Sequence, residues 1–266
     1  MRTRLLAILL PGLCLSALTA IAAESKDMPP EEIIKKFAAK EAEFAKAREN
    51  YTYRQSLKIQ ELSPGGAVQG QHEMVSDIIF SSDGKRTEKV VRAPVSTLHL
   101  LLDPGDEQDL RNVQPFVLTT DQIAEYDIRY LGRQKLDEVP CYQFSVKPKK
   151  MEKGKRYFEG EIWVDDRDMQ IVKTFGKGVG LLKKGADNQY PRFETYREQI
   201  DGKYWFPTYT RADDTLHFKD MNQRLRMTVK YEDYKQFKSN ATVTFGEEVK
   251  DPNKPDQEKK APEKKK

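Results

Sequence analysis

The stretch QRLRMTVKYEDYKQF, residues 223–237, decides the fold. Leu225, Met227, Val229 and Tyr231 fall on one side of an extended chain, Arg224, Arg226, Thr228 and Lys230 on the other. Successive side chains of a strand point to opposite faces, so this is a strand with one apolar face and one wet face. Antiparallel sheets that bury a single face carry this pattern. The same period recurs in YTYRQSLKIQEL, residues 51–62, where Tyr51, Tyr53, Leu57 and Ile59 alternate with Thr52, Arg54, Ser56, Lys58 and Gln60.

Between these stretches, strands are expected at 72–80, 85–93, 126–136, 140–148, 157–165, 169–176, 191–200, 203–212 and 215–220. The joins are turn clusters: residues 64–71, Ser81 to Gly84, Asp137-Glu138, Asp165 to Asp168, Asp201-Gly202, Asp213-Asp214 and Asp220 to Asn222. Strands joined by tight turns are antiparallel neighbours. The texture changes from Val95 to Tyr126, where an apolar STLHLLL, an acidic DPGDEQDLRNV and PFVLTTDQIAEY follow one another. That insertion reads as one short strand and two short helices, the second capped by Thr120 or Asp121.

Ahead of the first strand, residues 31–50 carry Ile33, Ile34, Phe37, Ala38, Phe44 and Ala45 at helical spacing. Asp27 as a cap, Pro29-Pro30 in the first turn and Glu31-Glu32 at the positive end of the dipole mark the helix start. The expected fold is mainly β: a half-open antiparallel β-barrel, a curled meander of about ten strands, with this amphipathic helix and short helices on its concave side.

Composition agrees. The 266 residues are 33% charged and 38% hydrophobic, and a one-sided sheet needs only every second residue to be apolar. Aromatics at 10% argue against a disordered chain, and two cysteines cannot make a disulfide-rich scaffold. The opening MRTRLLAILLPGLCLSALTAIAA, residues 1–23, has the basic start, apolar run and small-residue close of a cleaved secretory signal peptide. Its rival, an uncleaved anchor, has to contend with Pro11 and Gly12 in mid-run. Removing Arg2 and Arg4 takes the formal charge from +4 to +2, so basicity is no sign of nucleic-acid binding. No other run approaches the roughly 20 apolar residues of a membrane span. The expected organisation is a leader at 1–23, one domain at 24–246, and a disordered charged tail at 247–266.

The catalytic inventory is thin. His72, His99 and His217 are far apart and read as surface or interface residues, and no HExxH or GxSxG occurs. Cys141 is the one cysteine after the leader and reads as a buried, inert thiol. Residues 176–185, GKGVGLLKKG, lack the Lys-Ser/Thr of a phosphate loop and read as a flexible loop. Asp165, Asp166 and Asp168 read as a hairpin turn in preference to a calcium loop. Strand carboxylates such as Glu159, Glu161 and Glu194 keep a glycosidase-like acid pair open. No catalytic residue, metal ligand or cofactor is nominated.

The order of elements carries a resemblance. The helix, first strand, Gly65-Gly66-Ala67-Val68-Gln69-Gly70 turn and second strand resemble the opening of the LolA-like outer-membrane lipoprotein carriers. YLGRQKLDEVPCYQFSVKPK, residues 130–149, and RYFEGEIWVDDRDMQIVK, residues 156–173, look more like the related RseB-type proteins. The resemblance implies a periplasmic protein without enzymatic activity, whose concave apolar cavity holds lipid or lipoprotein acyl chains passed between inner- and outer-membrane transfer proteins. It departs from the carriers where they end the second strand with a basic residue and proline, since Ser81 to Arg86 contain no proline. The inward residues Leu57, Ile59, Ile162, Leu225, Met227 and Val229, with the helix stripe of Ile33, Phe37 and Phe44, are the candidate cavity lining. The same stripe on a packed core, in an RseB-like interaction or sensor protein, is the alternative.

Overall fold

The computed structural model describes residues 28–81, 84–181 and 189–237. The leader, Asp27, Cys14, and the tail lie outside them. Helix α1 (Pro30–Ala47) starts at Pro29 with no side-chain cap, its prolines occupying the first turn where the missing N–H costs nothing. The strands are β1 (Tyr51–Leu62), β2 (Val68–Phe80), β3 (Arg86–Arg92), β4 (Tyr126–Leu136), β5 (Val139–Pro148), β6 (Tyr157–Asp165), β7 (Ile171–Val179), β8 (Phe193–Gln199), β9 (Trp205–His217) and β10 (Asn222–Gln236). They form one antiparallel sheet in the order β3-β2-β1-β10-β9-β8-β7-β6-β5-β4. β3 and β4 are not paired with each other, so the barrel is half-open.

In this order the expected meander comes in two parts. Two meanders, β1 to β3 and β4 to β10, are zipped together by β1 on β10, with Leu57 opposite Val229 and Ile59 opposite Met227. Residues 93–125 therefore run from one edge of the sheet to the other. A connection between opposite edges has to cross a face, and this one crosses the apolar face, where Val113, Phe116 and Leu118 are buried.

Three local expectations also give way. Asp213 and Asp214 sit mid-strand in β9. Outward Asp213 is neutralised across the sheet by Arg224 and Arg226, both at 3.0 Å, while Asp214 accepts the Arg192 amide. The expected short strand in STLHLLL is absent: residues 93–103 are irregular, followed by a short helix α2 (Pro104–Gln108) and a π-helical turn (Asp109–Val113). Asp103 caps α2, accepting from the Gly105 and Asp106 amides, and where the second helix is expected a short 3-10 turn (Ile123–Glu125) starts after Gln122 with no side-chain cap from Thr120 or Asp121. The third correction concerns GKGVG, which continues β7 as far as Val179. A side chain at Gly178 would collide with the Asp109 carboxylate, so the glycine makes room for that group.

Helix α1 packs on the far half of the sheet. Phe37 meets Phe144 at 5.5 Å between ring centres, and Phe44 meets Phe206 edge-on at 5.2 Å. Its one buried acid, Glu41, is gripped by Arg197 of β8 at 3.1 Å and by the Ile171 amide of β7 at 2.9 Å. Arg197 also donates to the Phe116 carbonyl, tying helix, sheet and crossing segment together.

Candidate functional site

An opening of about 300 Å³ lies between the concave face and the crossing segment. Its floor is Ile59 of β1, Leu225 and Met227 of β10, Leu216 of β9 and Phe193 of β8. The roof is Leu98, Leu100 and Leu110 from the crossing segment, and Leu101 stands at the mouth, 92% exposed. Leucine roof over a leucine and methionine floor makes a slot that gains by excluding water.

One carboxylate holds that roof down. Glu61 ends the inward face of β1, where it is 1% exposed. It accepts the backbone N–H groups of His99 (2.9 Å) and Leu100 (2.6 Å), and its Oε2 lies 2.8 Å from His99 Nδ1. Burial alone would raise the Glu61 carboxyl, but these hydrogen bonds outweigh it and hold the group below its ordinary range. Thr97 adds a bridge to β2, its amide bonding the Gln71 carbonyl while its hydroxyl accepts from the Gln71 amide. Gly70 is required here, because a Cβ would stand 2.5 Å from the Thr97 carbonyl oxygen.

The acidic rim is Asp103, Asp106 and Asp109. Asp103 caps α2 and accepts from the Tyr190 hydroxyl at 3.1 Å. Asp109 is clamped by Arg156, with Nε at 2.8 Å and Nη2 at 2.6 Å, and Arg156 in turn stacks 3.7 Å above the Tyr190 ring. Asp106 is pushed up to about 6 by burial, with the charges of Asp103 and Asp109 adding to it against the hydrogen bond from the Asp103 amide. Among the described residues, the Gln114 side-chain carbonyl is buried on the cavity wall without a partner, while its amide touches Met227 Sδ at 3.4 Å. A bound donor is the natural complement of such an oxygen.

The structure divides the sequence candidates. Ile59, Leu225 and Met227 line the slot. Ile33, Phe37, Leu57, Ile162 and Val229 belong to the continuous buried core, and Phe44 to a smaller cluster with Tyr51 and Phe206. The roof residues Leu98, Leu100 and Leu110 come from the insertion and are not among the sequence candidates; the run STLHLLL is the signal for the first two, while Leu110 stands alone in the acidic stretch after it. His99 faces Glu61, His217 pairs with Asn222, and His72 lies on β2. Cys141 is buried, and burial pushes its thiol up to about 12. Glu159 pairs with Lys147, Glu161 accepts from Gln143, and Glu194 is hydrogen-bonded by Tyr196, Lys173 and Arg211. Among the described residues no group of three or more His, Cys, Asp or Glu is placed to hold a metal ion, and no helix is long and apolar enough to cross a membrane.

No family model and no curated protein matches the sequence. Solved structures do. A DUF1329 family protein from Desulfovibrio piger is similar at 16% identity and TM-score 0.45, over 79% of this chain and 94% of that one. A LolA superfamily protein from Nitrosomonas europaea is similar at 13% identity and TM-score 0.35, over 78% and 93%. MucB, in complex with MucA, is similar at 12% identity and TM-score 0.24, over 76% and 98%. Each of these similarities extends over most of both chains.

Proposed function

We propose that this protein is an exported, periplasmic binder of a single acyl chain, acting without catalysis and exchanging its cargo with membrane-associated donors and acceptors. The observation that carries the reading is the slot itself: an apolar cavity under a leucine roof that is fastened to the sheet through Glu61 and the Thr97–Gln71 bridge. Its volume of about 300 Å³ stands at the lower end of ligand pockets, enough for one chain. Burying a methylene is worth about 0.8 kcal/mol, so ten of them supply about 8 kcal/mol before ordering costs. That gain holds a chain that water rejects, yet stays far from irreversible.

The polar groups suit the head of such a ligand. The Gln114 carbonyl would accept from a hydroxyl or amide of the head. The roof is the mobile part in this reading, since its backbone is tied at two places and its leucines are half in water. A second reading, an interaction protein that works through its surface, draws support from α1, whose stripe is fully packed on the core. Native mass spectrometry of gently purified full-length protein separates the two. Acyl-sized mass increments support the binder; a ligand-free mass with no uptake of added fatty acid contradicts it.

A further inference from the structure

The π-helical turn Asp109–Val113 has a cavity on each side. Leu110 and Gln114 line the acyl slot, whereas Arg111, Asn112 and Pro115 line a second pocket of about 200 Å³ at the other end of β1 and β10. Packed Leu57 and Val229 and a hydroxyl chain from Thr195 through Thr210 to Tyr231 lie on the face between the two ends. The second pocket is thus a separate compartment.

Its chemistry is different from that of the slot. Three guanidinium groups, Arg48, Arg86 and Arg111, line it with one carboxylate, Glu49. Arg48 is partly buried, and among the described residues its side chain has no hydrogen-bond or ion-pair partner. Taking a cation out of water without a partner is costly. Arg86 spends Nη1 on Glu88 at 3.2 Å and Nη2 on Gln55 at 3.3 Å, while its Nε is buried with no partner among the described residues. Arg111 reaches Glu88 and Glu107 only at 3.8 and 3.6 Å, too long for hydrogen bonds. Guanidinium donors from three separate elements are therefore left over at one place. Tyr53 and Tyr234 stack at 5.1 Å beside them, giving the pocket a flat aromatic wall.

We infer that this pocket binds a small organic anion, a carboxylate or phosphate attached to one flat or apolar group. The anion supplies the hydrogen-bond acceptor that Arg48 lacks and accepts from Arg86 Nε and Arg111, and the ring or apolar stub lies on the tyrosines. The volume, below that of drug-sized pockets, limits the body to about one ring. This site does not depend on the acyl slot being occupied.

Calorimetric titration of the full-length protein with phenyl phosphate, benzoate and benzyl alcohol tests it. The two anions are expected to bind at least about tenfold more tightly than the neutral alcohol, which is the share of one charge-assisted hydrogen bond. Arg48→Gln and Arg111→Gln should each weaken phenyl phosphate by about tenfold while leaving fatty-acid uptake unchanged. A parallel titration with soluble dihexanoyl phosphatidic acid distinguishes the source: tighter binding than phenyl phosphate assigns the site to a lipid headgroup, weaker binding to a free anion. Equal affinity for benzyl alcohol, no binding of either anion, or indifference to both substitutions overturns the inference.

Discussion

Glu61 Oε2 lies 2.8 Å from His99 Nδ1, and the same carboxylate receives the His99 and Leu100 amides, so one buried acid of β1 fastens the roof of the slot. Hydrogen bonds to a charged group are worth about 1.5–3 kcal/mol each. Glu61→Ala is expected to release residues 97–102 at a local cost of about 3 kcal/mol, read as a rise of two orders of magnitude or so in hydrogen exchange at His99 and Leu100. The carboxyl is held below its ordinary range, so its contribution is present above that range and is lost as pH falls through the depressed value. Unchanged exchange in the variant would remove Glu61 as the fastening.

Gly70 is the partner of that contact. Gly70→Ala places a methyl 2.5 Å from the Thr97 carbonyl oxygen and 2.7 Å from Glu61 Oε2. Backbone cannot yield as a flexible side-chain end does, so the roof has to lift. The variant should keep its circular dichroism spectrum and lose exchange protection at Thr97, whose amide bonds the Gln71 carbonyl.

Asp106 makes the rim sensitive to pH. Its carboxyl sits at about 6 against an ordinary 3.8, a raised value, so its contribution to stability is fully present below pH 3.8 and is lost as pH rises through about 6. Asp106→Asn keeps an acceptor for the Asp103 amide and removes the charge. It should raise Tm by about 3 °C at pH 8, with no gain at pH 4. A gain of equal size at both pH values would mean that the charge is not what destabilises the rim.

Glu41 and Arg197 hold α1 on the sheet. Removing one member of a buried pair costs about 3–5 kcal/mol because the other is left unpaired. Glu41→Ala should lose that much in urea unfolding, and the double variant Glu41→Met with Arg197→Met should recover most of it. Burial pushes the Glu41 carboxyl up while Arg197 pulls it back, so the pair is a balance in which apolar replacement of both is tolerated.

Alternation made the strands legible. In β10 each inward residue from Leu225 to Tyr231 is buried, and β1 begins and ends at the expected residues. Long charged strands were less readable: Asp213-Asp214 has the composition of a turn, and only the facing arginines of β10 explain how it stays extended. The path of residues 93–125 was not legible, since strand order fixes it and strand order is set by β1 pairing with β10 across 160 residues or more of sequence. The roof leucines follow from that path. Arg48, Arg86 and Arg111 likewise come together only through the fold, each looking in the sequence like a solvated charge.

The central claim is that the slot binds an acyl chain. Its most direct test is fluorescence titration of the full-length protein with cis-parinaric acid, alongside Leu110→Trp, which fills the slot from its half-buried roof. Saturable one-to-one binding is expected with Kd near or weaker than micromolar, since about 8 kcal/mol of burial is reduced by ordering costs, and it is weakened about tenfold or more by the tryptophan. No saturable binding by the parent protein, or equal binding by the filled variant, would contradict it.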